Sequence, residues 1–142
     1  MSSVAYKSGA KAPSTKDKIF SDLDLQFKAH PVNKKINVLV NEDAIRRAVR
    51  NLILTNKYER FYNPLFGGDI RSYLFENFTP SLSAEMAYRI EETIKSFEPR
   101  ARVLEVRVLP NIDLNFLDIR IVFEAVNSLQ PITLKLTVER VR

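Results

Sequence analysis

The sequence predicts an α+β protein: a small, mostly antiparallel sheet from the C-terminal strands, with two longer helices and one short helix packed on it, preceded by an N-terminal arm. Three observations carry this. Residues 104–138 hold three stretches in which apolar and polar residues alternate, the signature of half-buried strands. Short connections around 110–113 and 127–131 favour an antiparallel meander with one face on helices. Residues 41–53 and 83–97 instead repeat their apolar residues at helical spacing. A chain of 142 residues, 45% hydrophobic and 27% charged, has an ordinary globular composition and is long enough for one self-sufficient core.

In chain order, residues 1–18 are rich in Ser, Ala and Lys and poor in large apolar groups. Such a segment buries too little to offset its ordering entropy, so it reads as a flexible arm. Residues 19–142 read as a single α+β domain. Residues 19–40 look extended, with a short strand signal at Ile36, Val38 and Val40. His30 precedes Pro31, which biases it away from helix, and reads as a solvated loop residue.

Asn41 is a favoured helix N-cap, and Glu42 and Asp43 complement the helix dipole behind it. Ile45, Ala48, Val49, Leu52 and Ile53 form one apolar stripe; Arg46, Arg47 and Arg50 lie off it and read as a solvated face. The loop 55–69 is punctuated by Asn63-Pro64 and Gly67-Gly68 yet carries Tyr58, Phe61, Tyr62, Leu65 and Phe66. A loop this aromatic must fold back onto the core or meet a partner. Asp69 is a candidate N-cap for a short helix over 70–75. Met86, Ala87, Ile90, Ile94 and Phe97 stripe a second long helix over 83–97, which Pro99 ends. Three strands follow, around Leu104–Val106–Val108, Leu117–Ile119–Ile121–Phe123 and Ile132–Leu134–Leu136–Val138.

Composition narrows the chemistry. Without Cys there is no disulfide, no thiolate metal site and no thiol nucleophile, and one His makes a multi-His metal site or a Ser-His-Asp triad a poor expectation. No apolar run approaches the roughly 18 residues of a membrane span, and the N-terminus lacks a secretory apolar core. The net charge of +5 invites a nucleic-acid reading. The excess, however, sits in residues 1–20 and 28–60, while residues 61–142 carry ten bases against eleven acids. Gly67-Gly68 does not belong to any phosphate-loop pattern. Asp69 and Glu76, about two turns apart, are the carboxylates that a hydrolase reading would use; their ordinary readings are an N-cap and a solvated acid. Glu98-Pro99-Arg100 stands out as opposite charges flanking a stiff helix-to-strand corner, expected to project from it.

The segment NPLFGGDIRSYLFENFTP, followed by FEPR, resembles the small inner-baseplate wedge protein family of contractile-tailed bacteriophages. That family includes a related type VI secretion baseplate subunit and carries a historical "lysozyme" label. The matching residues are Pro64, Phe66, Gly67, Asp69, Leu74, Phe75 and Glu76, then Glu98, Pro99 and Arg100, and the likeness spans about 19–142. The resemblance implies a structural virion protein of the tail baseplate, present in the host cytoplasm during assembly, with no catalytic residue, cofactor or metal. It implies binding to the helical core bundle of other baseplate wedge proteins through Glu98, Pro99 and Arg100. The turn at Pro64, Phe66 and Gly67 is a second candidate partner-binding site. It further implies an exposed sheet edge on which the tail sheath protein exchanges strands. Tube or hub proteins are further candidate partners; membrane and nucleic acid are not expected ones. A peptidoglycan hydrolase and a small basic nucleic-acid-binding domain are the alternative functions.

Overall fold

Alternation along the last three strands becomes one buried face. In a computed structural model, which describes residues 19–139 except 26, 28, 30, 33, 112–115, 127 and 129, three strands form an antiparallel sheet. The arm over 1–18 and His30 lie outside the described residues. Five strands and three helices are numbered in chain order: β1 Ser21–Leu23, β2 Val38–Val40, α1 Glu42–Leu54, α2 Ile70–Tyr73, α3 Pro80–Phe97, β3 Ala101–Asn111, β4 Phe116–Ala125 and β5 Pro131–Glu139. The large sheet has the order β3-β4-β5, and β1 pairs with β2 in a separate antiparallel ribbon. The fold is α+β, as the periodicities predict.

The core lies between the large sheet and the helices. α3 packs mainly on β3, while α1 packs on both α3 and β5. Leu117, Ile119, Ile121 and Phe123 of β4 meet Ile45, Val49, Leu52 and Ile53 of α1 and Met86, Ile90 and Ile94 of α3 in one cluster. Both predicted helix stripes are thus the buried faces, because side chains three and four apart share a side of a helix.

Four local expectations are corrected. β3 contains an irregularity between Val103 and Glu105, so Leu104 does not share the buried face of Val106 and Val108 and is 48% exposed. A bulge inserts one residue and shifts the alternation, which sequence periodicity alone does not register. α3 begins at Pro80 rather than near residue 83: the Thr79 hydroxyl accepts from Leu82 N at 3.2 Å, and Pro80 sits where its missing N–H costs nothing. Asn41 occupies the N-cap position of α1 but makes no side-chain cap there. Its Oδ1 instead accepts from Ile19 N (3.0 Å) and Phe20 N (3.2 Å), tying the strand entry to the helix start. Arg47 is not a solvated base. It donates to the buried Asp24 at 2.9 Å and fastens the segment after β1 onto α1.

Candidate functional site

The corner between α3 and β3 is where the sequence-predicted residues converge. Pro99 prevents α3 from continuing, and Glu98 closes the helix with its N–H on Ile94 O at 2.8 Å. Ala101 N then donates to Glu98 O at 3.0 Å, turning the chain into β3 within three residues. Glu98 does not project, contrary to expectation: it is 6% exposed. Arg100 folds back and grips it with a fork, Nε to Oε1 at 2.5 Å and a terminal nitrogen to Oε2 at 2.7 Å. The reason is electrostatic, because a carboxylate buried at the helix end needs a counter-charge, and the planar guanidinium supplies two parallel bonds. The hydrogen bond from Arg100 to Glu98 raises the guanidinium pKa further, so Arg100 is cationic throughout the accessible pH range. Its plane also lies over the Phe20 ring, 5.2 Å from the centroid.

The second predicted motif reaches the same corner. Phe66 packs edge-on against Phe97, with ring centroids 5.3 Å apart, and the Arg60 guanidinium lies over the Phe66 ring, 4.0 Å from its centroid. The turn is held by backbone bonds from Tyr58 N to Pro64 O (2.7 Å) and from Phe66 N to Asn63 O (3.1 Å). Gly67, at φ 127°, must be glycine: a Cβ there would lie 2.4 Å from Thr55 O. The closeness has a purpose, since Gly68 N donates to Leu52 O and Asp69 N to Thr55 O, satisfying carbonyls at the end of α1. The aromatic loop does both things its composition demanded. Phe66 returns to the body, while Phe61 and Tyr62 are fully exposed at the tip and Leu65 is mostly so.

Of the two carboxylates of the hydrolase reading, only Asp69 lines the cleft beside Tyr73. Asp69 is the N-cap residue of α2 in a left-handed conformation without a side-chain cap bond. The cleft is also lined by Glu85, Arg89 and Glu92, and Glu76 is not among the lining residues. Among the described residues no cluster of His, Asp or Glu is suited to a metal ion, and no helix is long and apolar enough to cross a membrane.

Comparison with known proteins bears on this corner. The family model described as Baseplate wedge protein gp25 matches residues 40–128, which take in both motifs. The chain belongs to the baseplate wedge protein gp25 family. Baseplate wedge protein gp25 of Enterobacteria phage T4 is 31% identical over 112 residues, covering 79% of this chain and 84% of that one. A chain of the anti-feeding prophage baseplate, solved by cryo-EM with 6-fold symmetry, has a TM-score of 0.67 at 26% identity, over 78% of this chain and 88% of that one. A Geobacter sulfurreducens protein described as a tail lysozyme shares the fold, with a TM-score of 0.64 at 22% identity, over 71% and 92% of the two chains. Membership of the gp25 family carries a structural role in a baseplate complex, with other baseplate proteins as partners. The "lysozyme" description of the Geobacter protein is a historical name.

Sequence reasoning named the gp25-type Glu98-Pro99-Arg100 and Pro64-Phe66-Gly67 groups but missed two residues that complete the surface, Phe20 and Arg60. Each makes a cation–π contact, Phe20 with Arg100 and Arg60 with Phe66. Phe20 lies 80 positions from its partner, and no spacing rule reaches that far.

Proposed function

We propose that this protein docks onto the helical core bundle of the baseplate wedge through the α3–β3 corner, and offers a sheet edge on which the first sheath ring is templated. The observation that carries the first part is the forked Glu98–Arg100 pair beside the Phe66–Phe97 contact. Glu98 consumes two guanidinium donors and fixes the plane, leaving the remaining donors of Arg100 available to carbonyl or carboxylate groups of a partner. Glu98 therefore acts as a positioning residue and Arg100 as the contact. Pro99, exposed at the apex, presets the approach.

For the edge, β5 is the better candidate. The outer strand β3 is interrupted by its bulge and by Pro110, both features that blunt an edge. β5 pairs with β4 in unbroken register from Pro131 to Glu139, and its other edge is the template an extended sheath segment would extend.

Arg100→Ala alone is a poor test, because it strands a buried carboxylate. Glu98→Gln with Arg100→Gln removes both charges and leaves two amides that can bond one another, the Gln amide nitrogen standing where Arg100 Nε stood. The double variant folds in isolation and loses co-assembly with wedge proteins; normal baseplates from it overturn the corner assignment. The chain contains no Cys, so Thr133→Cys, exposed on β5, gives a single thiol. It crosslinks to cysteines placed along the sheath protein's terminal arm if β5 is the edge, and uniform failure along the arm overturns that part.

A further inference from the structure

The outward face of the large sheet carries an arrangement that neither the corner nor the β5 edge uses. The register sets Arg107 opposite Arg120 and Arg120 opposite Lys135, so three cations stand in one rung across β3, β4 and β5. All three are exposed. Directly opposed side chains have Cβ atoms about 4.5–5.5 Å apart, and like charges at that distance repel and destabilise the sheet. Arg107 is partly relieved by Glu105 on its own strand at 2.5 Å. Arg120 and Lys135 form no ion pair among the described residues. A sheet that holds three bases in line against their repulsion is built for something that neutralises them.

The neighbouring rungs define what that is. Two residues along the strands, on the same face, the rung on one side carries Glu105 opposite Val122, and the rung on the other carries Leu109 opposite Asp118. Same-face neighbours are only about 6.5–7 Å apart along a strand. A continuous polyanion such as duplex DNA, wider than one rung, would meet these acids on both sides. A narrow row of carboxylates would not. The rung spans two inter-strand spacings, roughly 10 Å. Acidic side chains at i, i+4 and i+7 of a helix cover about 10.5 Å in one line. Leu109, 63% exposed, and Leu104 add apolar ground beside the rung for the flanks of such a helix.

We propose that the outer sheet face binds an amphipathic helix of a partner protein, whose acidic row lies across the strands on Arg107, Arg120 and Lys135. The contact is separate from the α3–β3 corner, so its loss and the loss of corner docking are read by different variants.

The test uses the full chain, a synthetic amphipathic helix with Glu at i, i+4 and i+7, the same helix with Gln at those positions, and a DNA duplex. The Glu helix binds, more weakly as salt rises, while the Gln helix and the duplex do not. Arg120→Gln with Lys135→Gln abolishes that binding and raises the Tm of the isolated chain, because the opposed charges are gone. A photocrosslinking residue in place of Val122, on the outward face of the central strand and away from the β5 edge, attaches to an acidic helix in assembled baseplates. Equal binding of the Glu and Gln helices, duplex binding in preference to the helix, or a crosslink to a segment without acids overturns the proposal. A lowered Tm in the neutralised variant also counts against it, since the rung would then be stabilising in its own right.

Discussion

Truncating Arg100 separates two roles that the corner combines. Glu98 is 6% exposed, and Arg100 supplies both bonds to its carboxylate oxygens. Arg100→Ala leaves that charge without its partner at a helix end. Removing one member of a fully buried pair costs about 3–5 kcal/mol. Here the arginine side chain is 38% exposed, so water can enter the vacated space and solvate part of the carboxylate. The expected loss is therefore nearer the about 1–3 kcal/mol of an unsatisfied buried polar group. For a chain of this size that corresponds to a fall in Tm of roughly 4–10 °C. Glu98→Gln/Arg100→Gln should recover most of it, because the two amides can bond one another and neither is charged. Chemical denaturation of wild type, Arg100→Ala and the double variant reads this directly. If Arg100→Ala melts with wild type, Glu98 is hydrated in the free chain, and the account of Arg100 as a positioned, desolvated fork is wrong.

Other perturbations probe the rest of the surface. Gly67→Ala forces a Cβ against Thr55 O at a φ that only glycine tolerates, and should cost at least about 1–3 kcal/mol in urea unfolding, with no loss if the turn can relax. Phe61→Ser with Tyr62→Ser removes two fully exposed rings; stability should change by less than about 0.5 kcal/mol while co-assembly falls, and unchanged assembly would make the loop tip dispensable. Phe123→Ala empties the centre of the core and should cost about 3–5 kcal/mol, read by thermal unfolding. Burial raises the Tyr73 phenol above its ordinary 10.0, with Arg89 partly opposing the shift. The folded state then holds that proton more tightly than the unfolded one. The contribution of Tyr73 is complete below pH 10.0 and is lost as pH rises through the higher folded value. Tyr73→Phe should flatten that alkaline decline in urea midpoints, and an unchanged slope would assign the decline to other groups.

How much was legible follows from the range of the interaction that decides each feature. The stripes of α1 and α3 and the alternation of β4 and β5 are periodicities of neighbours in sequence, and those elements form where the spacing puts them. The Leu104 bulge is invisible to alternation, because it depends on how β3 pairs with β4 rather than on β3 itself. The start of α3 is legible in Thr79-Pro80, a cap followed by a favoured first helical residue, but it lies outside the apolar stripe, so helical periodicity alone places the boundary too late. Asn41 looked like a cap on type and position, yet its side chain serves Ile19 and Phe20, more than twenty residues away. Arg47 looked solvated because nothing near it in sequence announces Asp24 as a buried partner. For the site, residue types and order marked Glu98, Pro99 and Arg100, while the direction in which the charges point is tertiary. The bare pattern cannot distinguish a pair that projects from a pair that closes on itself.

That distinction separates the two charged surfaces and makes them respond differently to salt. At the corner, opposite charges have already met, so the cost of ordering Arg100 falls on folding rather than on binding, and the surface it presents is rigid. A short, partly desolvated fork is screened weakly by salt. On the outer sheet face, like charges face one another in open solvent, where each is screened and each gains most from an acidic partner at low ionic strength. Raising salt should therefore release a helix bound across Arg107, Arg120 and Lys135 well before it releases a partner seated on Arg100. A subunit with both kinds of contact can be freed from one neighbour while it holds the other. Titrating salt against wedge co-assembly and against acidic-helix binding should give two separate midpoints, with the helix lost first. Coincident midpoints, or the reverse order, would mean that the corner contact is governed by exposed charge after all.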